Sequence, residues 1–379
     1  MTNIDFLYFD AGGGHRAAAT ALKSVIDGQN PEWDVRMVNL QEILDSLDVF
    51  RKVTGIRLED IYNKILAKGW TLGAAEGLKF VHGVIRLYHR PVVRLLEQHW
   101  ERTRPAMVVS LVPNFNRALY QSLRAALPAT PFATILTDFA DYPPHFWIEP
   151  FSINQQFLIC GTTKASEQAA DLGYPPDRIF PVSGMILRPN FYEPVLVDRA
   201  AERVRLGLDP ERPTGLVLFG GQGSNTMLEI ARRLPATQLI LICGRNRKLA
   251  EALRGLPSSA PRFIEGFTSE IPYYMHLSDF FIGKPGPGSI SEAVAMKLPV
   301  IVERNAWTLP QERYNVEWVR ERDAGIVLDN FRGIAAAVDR LLGSLDAFRA
   351  SVEHIHNRAV FEIPAILATI LERSLKTAP

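Results

Sequence analysis

The chain has 379 residues, 47% of them hydrophobic, and its 42 lysines and arginines balance 41 aspartates and glutamates to a formal net charge of +1. This length exceeds one ordinary core and predicts two domains of roughly 150 to 200 residues each. The charge balance argues against a nucleic-acid-binding protein, whose domains are normally basic. Only Cys160 and Cys243 occur, each at the end of an apolar run, so neither a disulfide framework nor a zinc site is expected.

The chain enters a strand pattern at its first residues, without the basic region and apolar leader of a signal peptide. No run of about 18 apolar residues occurs, so a membrane-spanning helix is not expected. These features predict a cytoplasmic protein.

Short apolar runs alternate with helical patterns in both halves of the chain, which is typical of α/β domains with parallel sheets. The strand patterns cover 4–10, 34–40, 107–112, 131–138 and 157–161, and then 215–219, 238–243, 262–267, 279–283 and 299–303. Segment 186–214 is rich in proline and charge and has no strand pattern, so we place the linker there. The predicted organisation is an N-terminal domain over 1–190, a C-terminal domain over 191–345, and helices within 346–379 that pack back on the N-terminal domain.

The first glycine-rich turn lies in FDAGGGHRAAATAL, residues 9–22, where a strand pattern passes into an alanine-rich helical pattern. Glycine lets the backbone bend sharply and approach a ligand, and the N–H groups of a new helix favour an anion. His15 would stand on the first turn of that helix. The structural alternative is that His15 only hydrogen-bonds a carbonyl.

A dinucleotide site is another alternative for this turn, because Gly12, Gly14 and Ala17 satisfy the GxGxxA pattern. Such a site needs an acidic residue at the end of the second strand to bind the ribose. That strand, DVRMVNL, ends at Asn39 and Leu40, which disfavours a nicotinamide enzyme. A P-loop kinase is excluded because the chain has no GxxxxGK(S/T) motif.

Two further glycine turns, FGGQGSN at 219–225 and GKPGPGSISEA at 283–293, follow strand patterns and open helices in the second half. One such turn is a weak signal, since glycines also simply join strands to helices. Three of them in two α/β domains predict a diphosphate at the carboxyl ends of the strands, in a cleft between the domains. Glu292 follows the third turn and either accepts both hydroxyls of a ribose or completes a capping box with Ser289.

The motifs GGGHRAAATAL, LTDF followed by HFWI, GMILRPNF, FGGQGSN, KPGPGSISEA and PQERYN occur in this order along the chain. Together they resemble the monogalactosyldiacylglycerol synthase and processive diacylglycerol glucosyltransferase family, and more distantly the N-acetylglucosaminyltransferase that completes the lipid-linked peptidoglycan precursor. The resemblance covers residues 4–345. It implies an α/β protein of the GT-B fold, with two Rossmann-like parallel-sheet domains facing across a cleft. The second domain would hold a UDP-sugar, and the first would receive a lipid acceptor.

The resemblance also assigns donor-binding residues. Glu292 would bind the uridine ribose, and Phe267 would lie beside the uracil. The residues expected around the diphosphate are Gly221, Gln222, Gly223 and Ser224 in one turn and Lys284, Gly286, Pro287, Gly288 and Ser289 in the other. Those expected at the transferred sugar are Gln311, Glu312 and Asn315. The segment TLPQERYN differs from the common PGQEEGN, so the identity of the sugar is not implied.

His15 matches the histidine proposed as catalytic base in this family, with Asp10 on the same loop. An imidazole has a pKa suited to accepting the proton of a hydroxyl. Helix N-termini, helped by Lys284 or Arg245, would stabilise the leaving diphosphate. Because the chain has no D-x-D triplet to hold a divalent ion, no metal and no other cofactor is expected.

The resemblance places the acceptor in the first domain. The residues expected near it are Gly13, Gly14, Asp138, His145 and Trp147. The loop after the TD pair reads ADYPPHFWIEP, which departs from the loop common in the family.

Basic and bulky apolar residues are mixed in LKFVHGVIRLYHRPVVRLLEQHW, residues 78–100. Arg86, Arg90 and Arg94 are four residues apart and would form one ridge, although Pro91 would break the helix into two pieces. Such a ridge suits an anionic membrane surface, and an ordinary amphipathic helix with a solvated face is the alternative.

The combined features predict an inverting glycosyltransferase, bound peripherally to the cytoplasmic face of the cell membrane, that moves a hexose from a UDP-sugar to a lipid such as diacylglycerol. The alternatives are a UDP-sugar epimerase of the same architecture, and a non-catalytic relic that binds a sugar nucleotide or a lipid.

Overall fold

The computed structural model describes residues 1–10, 14–45, 87–142, 145–150, 156–306 and 308–377. The described residues form two compact units. The first contains the residues up to 189 together with those from 357 onwards, and the second contains residues 190–356. The chain therefore leaves the first unit near Pro189 and returns to it at Asn357.

The first unit is built on a parallel sheet that has six strands among the described residues. These are β1 (Thr2–Tyr8), β2 (Trp33–Asn39), β3 (Met107–Ser110), β4 (Phe132–Ile135), β5 (Gln156–Cys160) and β6 (Ile179–Pro181). They lie in the order β2-β1-β3-β4-β5-β6. The described α-helices of this unit are Gly14–Gln29, Leu40–Leu44, His89–Thr103, Asn116–Ala126, Thr163–Asp171 and Ala359–Thr377.

The second unit contains another sheet with six parallel strands in its described part. These are β7 (Thr214–Leu218), β8 (Gln238–Ile242), β9 (Arg262–Glu265), β10 (Phe280–Gly283), β11 (Val300–Glu303) and β12 (Gly325–Leu328). Their order is β9-β8-β7-β10-β11-β12. Its described α-helices are Arg199–Arg205, Thr226–Arg233, Arg247–Arg254, Ile271–His276, Pro287–Ala295, Arg313–Glu321, Ile334–Gly343 and Leu345–Glu353.

The central strands are continuous apolar runs because helices cover both faces of each sheet. Every residue of β7 and β8 is buried. In the first unit, helix His89–Thr103 covers the sheet with Val92, Leu96 and Trp100, which recur every four residues and are buried.

Each of the ten predicted strand patterns overlaps an observed strand. Strands β6 and β12 were not predicted from the sequence. Both are short edge strands, since β6 pairs with β5 and β12 pairs with β11, and both have partly exposed residues. Edge strands of three or four residues carry too little apolar pattern to be recognised.

The segment predicted as a linker, 186–214, contains the helix Arg199–Arg205, which is fastened to the second unit. The carboxylate of Asp279 accepts hydrogen bonds from Arg199 (2.8 Å), Arg203 (2.7 Å) and Arg349 (2.5 Å). Burial acts against ionisation of Asp279, but Arg199, the Thr214 backbone N–H and Arg203 hold the pKa of its carboxyl below the ordinary value. One buried carboxylate thus binds the linker helix and helix Leu345–Glu353 to the same strand end.

The last helix, Ala359–Thr377, packs on helix Gly14–Gln29 of the first unit. Its start is tied to the segment that follows β6. Asn357 Nδ2 donates to the Met185 carbonyl at 2.8 Å, and Glu362 accepts from the backbone N–H (2.8 Å) and the hydroxyl (2.7 Å) of Ser183. Within the first unit, hydrogen bonds therefore join the segment just before the chain leaves this unit to the segment at which the chain returns.

Candidate functional site

The strand order of the second sheet defines where a ligand can bind. The chain starts in the middle at β7, moves outwards through β8 and β9, and then returns to the other side of β7 as β10. This is the Rossmann order, and ligands bind outside the carboxyl ends of the strands at the point where the order reverses. The turns FGGQGSN and GKPGPGS follow β7 and β10, so both glycine turns lie at that point.

The turn after β7 packs tightly against the turn after β8. Gly223 has a φ of +63°, and a Cβ there would lie 2.5 Å from the Cys243 carbonyl oxygen, so glycine is needed. The Gly221 carbonyl accepts from the Arg245 N–H at 2.9 Å. Gly221 and Gln222 are exposed at the tip of the turn, and the Ser224 hydroxyl accepts from the Thr226 N–H at 3.2 Å. This turn leaves its tip open to a ligand.

The turn after β10 opens the helix Pro287–Ala295, whose cap residue is Gly286 and which has no side-chain cap. The backbone N–H groups of Gly288 and Ser289 in its first turn are therefore not capped by a side chain, and they suit an anion. Glu292 is the sixth helical residue and is half-buried. Because the helix begins before Ser289, the capping-box interpretation of Ser289 and Glu292 is wrong.

The PQERYN segment is fastened to the same turn. Lys284 Nζ lies 3.3 Å from Glu312 Oε1, and Asn315 Nδ2 donates to the Pro285 carbonyl at 2.8 Å. Two acceptors, Gln311 Oε1 and Asn315 Oδ1, are buried without a hydrogen-bond partner among the described residues. Such atoms can accept hydrogen bonds from the hydroxyls of a ligand.

A cleft of about 550 Å³ lies beside the carboxyl ends of β8 and β9. The guanidinium of Arg245 lies 4.7 Å from the ring centre of Phe267, and Phe267 is 61% exposed. The lining residues are Gly244, Arg245, Arg247, Ala250, Glu251, Arg254, Gly266 and Phe267. An exposed aromatic face beside arginines suits a planar group. Phe267 and Arg245 were predicted from the sequence, whereas Arg247 and Arg254 were not.

In the first unit, His15 is the second residue of helix Gly14–Gln29 and is partly buried. Its Nδ1 lies 3.0 Å from the Thr137 hydroxyl oxygen, and its ring centre lies 5.7 Å from that of Trp147. Burial lowers the pKa of His15 to about 4, against a hydrogen bond with the Leu111 backbone that raises it. His15 is therefore neutral at pH 7. The free energy of unfolding therefore decreases as the pH falls from 6.5 towards 4, because the imidazole takes up a proton in the unfolded chain but not when it is buried.

The loop that follows β4 holds the predicted acceptor residues. Trp147 is fully buried, and its indole N–H donates to Asp138 at 2.8 Å. His145 is partly buried and has a φ of +51°. The structure thus joins Asp138 and Trp147 to His15 in one cluster, in which Trp147 is fully buried.

The remaining predicted residues of the first glycine turn are placed as follows. Asp10 pairs with Arg16 at 3.2 Å on a solvent-accessible surface. Gly14 begins the helix and is exposed, and a Cβ there would meet nothing within 4 Å. Gly13 lies outside the described residues.

Helix His89–Thr103 carries part of the predicted basic ridge. Pro91 lies in its first turn, where the missing N–H costs no helical hydrogen bond. Arg90 and Arg94 are exposed, Leu87 just before the helix is 78% exposed, and Arg86 lies outside the described residues. None of the helices searched within the described ranges is long and apolar enough to cross a membrane. Those ranges also contain no group of three or more His, Cys, Asp or Glu side chains arranged to hold a metal ion.

Comparison with known proteins identifies relatives of the chain, although no family model matches it. Probable monogalactosyldiacylglycerol synthase 2 of Oryza sativa subsp. indica is 29% identical over 367 residues, which cover 89% of this chain and 73% of that protein. Monogalactosyldiacylglycerol synthase of Spinacia oleracea is 28% identical over 371 residues, with 89% and 65% covered. The chain is a homologue of the monogalactosyldiacylglycerol synthases. The predicted resemblance and the predicted enzyme class, a glycosyltransferase, are confirmed.

Solved structures show the fold of this homologue. The calicheamicin glycosyltransferase CalG4 superposes with a TM-score of 0.61 at 16% identity, covering 100% of both chains. A putative UDP-N-acetylglucosamine 2-epimerase from Listeria monocytogenes gives 0.60 at 14%, covering 100% of this chain and 97% of the other. MurG of Acinetobacter baumannii gives 0.58 at 12%, covering 97% and 100%. The predicted GT-B fold is confirmed.

Replacing Glu292 tests the donor assignment. If its carboxylate accepts two ribose hydroxyls, Glu292→Ala should weaken UDP binding by about 1.5–3 kcal/mol for each lost charged hydrogen bond, which is a rise of at least tenfold in Kd. Calorimetric titration with UDP measures this change, and thermal unfolding should shift little. The control is Glu211→Ala, which removes an exposed carboxylate from the same unit. An unchanged Kd in Glu292→Ala would remove Glu292 from the donor site.

Proposed function

We propose that this glycosyltransferase moves a hexose from a UDP-sugar to the hydroxyl of a lipid acceptor, with inversion at the anomeric carbon, and that diacylglycerol is the acceptor. The observation that carries the donor half is the pair of glycine turns at the point of strand-order reversal in the second sheet. The relatives' name, monogalactosyldiacylglycerol synthase, supports a diacylglycerol acceptor.

The second unit would bind the donor. The diphosphate would lie against the uncapped N-terminus of helix Pro287–Ala295, with the Lys284 ammonium nearby. Glu292 would accept the ribose hydroxyls, and the uracil would occupy the cleft that Arg245 and Phe267 line. The buried acceptors on Gln311 and Asn315 would receive hydrogen bonds from hydroxyls of the sugar.

His15 would act as the general base. It takes the proton of the acceptor hydroxyl on a ring nitrogen while the hydroxyl oxygen forms its bond to the anomeric carbon. The bond between that carbon and the diphosphate oxygen breaks at the same time, and UDP leaves with the electron pair. The neutral state of His15 at pH 7 leaves one ring nitrogen with a lone pair for this step.

We also propose that the transfer needs no metal ion, since helix N-termini and Lys284 would meet the charge of the diphosphate. Transfer should therefore persist when excess EDTA is added to the assay. The control is a D-x-D-dependent glycosyltransferase assayed in the same buffer, which should lose its activity. Loss of turnover that Mg²⁺ or Mn²⁺ restores would contradict the proposal.

The exposed arginines of helix His89–Thr103 would attach the enzyme peripherally to an anionic membrane on the cytoplasmic side. Arg90 and Arg94 lie on the face opposite the buried residues Val92 and Leu96, and exposed Leu87 adds an apolar group at the helix start. Basic residues near an anionic surface each contribute about 1 kcal/mol.

The double variant Arg90→Gln/Arg94→Gln should bind anionic vesicles about 30-fold more weakly, which corresponds to about 2 kcal/mol. Sedimentation with vesicles containing phosphatidylglycerol measures this change, and binding to phosphatidylcholine vesicles should not change. The matched control, Arg322→Gln/Arg340→Gln, removes two exposed arginines from the second unit. Equal binding by both double variants would show that the ridge is only a solvated surface.

His15→Ala tests the catalytic assignment. Transfer should fall by about 10²–10⁴-fold, the usual contribution of a positioned general base, while UDP affinity stays constant. Because burial lowers the pKa of His15 to about 4, the wild-type rate should stay level from pH 8 to about pH 5 and fall only as the pH approaches 4. Rates are measured with a labelled UDP-sugar, with and without diacylglycerol.

The products of the same assay separate the alternatives. Sugar appearing on the lipid supports transfer, an altered UDP-sugar formed without lipid would indicate an epimerase, and neither product would indicate a binding protein. A His15→Ala variant that transfers normally would contradict the base assignment.

A further inference from the structure

The orientation of His15 depends on the loop that follows β4. The ring has two nitrogens, and in a neutral imidazole one carries the proton while the other has the lone pair. The partner of one nitrogen decides which state is present. Thr137 Oγ1 lies 3.0 Å from Nδ1, although His15 and Thr137 are 122 positions apart in the chain. Thr137 belongs to the LTDF motif, but no role was predicted for it from the sequence.

Hydrogen bonds hold the loop that contains Thr137 in place. Its neighbour Asp138 accepts the indole N–H of Trp147 at 2.8 Å, and the Trp147 backbone N–H donates to Asp141 at 2.6 Å. The Trp147 carbonyl accepts from Asn116 Nδ2 at 3.0 Å. Trp147 is fully buried, and its ring centre lies 5.7 Å from that of the His15 imidazole, with 54° between the two ring planes. The loop therefore supplies both the hydroxyl beside Nδ1 and an aromatic ring in contact with the imidazole.

We propose that Thr137 is a positioning residue that accepts the Nδ1 proton of His15 and so leaves the lone pair on Nε2, the nitrogen that takes the proton of the acceptor hydroxyl. The proposal rests on the proposed function of His15 as the base. It also reassigns Asp138 and Trp147, which were predicted to contact the acceptor, to the support of the imidazole.

The chain permits a matched pair of substitutions. Thr137→Val replaces the hydroxyl by a methyl group of similar size and removes the hydrogen bond, whereas Thr137→Ser retains the hydroxyl. Thr130→Val is the control, because Thr130 is a partly buried threonine of the same unit that only donates weakly to Pro105 at 3.3 Å.

The first measurement is independent of activity. Long-range ¹H–¹⁵N NMR spectra of ¹⁵N-histidine-labelled full-length protein, with His15 assigned by its absence in His15→Gln, distinguish the two tautomers. We expect Nδ1–H in the wild type, in Thr137→Ser and in Thr130→Val, and a mixture or Nε2–H in Thr137→Val. Nε2–H in the wild type would overturn the proposal, because the Thr137 hydroxyl would then donate its proton to Nδ1.

The second measurement is kinetic. Thr137→Val should lower kcat by on the order of 10²-fold, the cost of a misplaced catalytic group, with an unchanged KM for the UDP-sugar. Thr137→Ser should restore most of the loss. In a His15→Ala background, Thr137→Val should have no further effect, because both changes act through one group. An unchanged kcat in Thr137→Val would overturn the proposal.

The two measurements separate the two hypotheses. If His15→Ala transfers normally, the base assignment fails, and the tautomer of His15 still reports whether Thr137 accepts its proton. If His15→Ala loses transfer while Thr137→Val keeps both the wild-type tautomer and the wild-type kcat, the role of Thr137 fails and that of His15 stands.

Discussion

Parallel pairing is the constraint on which the functional arrangement of this chain depends. In each sheet the described strands all run in one direction, so every turn that leads from a strand into a helix lies on the side of the sheet formed by the carboxyl ends of the strands. The N-termini of the helices, with their unpaired N–H groups, are thereby brought to the same side. The turns after β7 and β10 lie on adjacent strands for this reason, although 64 positions separate Phe219 from Gly283. In the first sheet, the same constraint brings Thr137, which follows β4, to the carboxyl ends of the strands, where His15 lies in the first turn of its helix.

The sequence was sufficient for features that depend on local pattern. Apolar runs predicted ten strands, and glycine turns predicted where helices begin, because burial between helix layers and backbone bending leave direct traces in residue type. Features that depend on long-range contacts were missed. Glu292 and Ser289 fit a capping box by spacing, but Gly286 and Pro287 begin the helix earlier, as glycine and proline can do. The arginines that meet at Asp279 come from helices up to 150 positions apart, so no local pattern could place the linker helix on the second unit.

The environment of His15 has a consequence for the proposed reaction. A base with a pKa of about 4 is far too weak to remove the proton of a free alcohol. The proton becomes acidic only as the acceptor oxygen bonds to the anomeric carbon, so the transfer of the proton must accompany that bond and cannot precede it. In the proposed reaction the diphosphate departs as that bond forms, and the N-terminus of helix Pro287–Ala295 and Lys284 would stabilise the negative charge that develops on it. A buried neutral imidazole suits this reaction, because it stays unprotonated at neutral pH and can accept the proton when the acceptor oxygen bonds to the anomeric carbon.

The fold itself does not choose a reaction, since a transferase and an epimerase superpose on this chain about equally well. The side chains at the carboxyl ends of the strands must therefore determine which reaction is catalysed. In the second unit, Asn315 donates one amide N–H to the Pro285 carbonyl, and its oxygen and the Gln311 oxygen are buried acceptors without a partner among the described residues. Both positions therefore favour ligand hydroxyls as donors. A sugar that lacks the matching hydroxyl would leave a buried acceptor unpaired, and such a mismatch discriminates far more strongly than a change in apolar size. Under the proposed function, the fold supplies the diphosphate site, and the contacts between the PQERYN segment and the turn after β10 select the sugar.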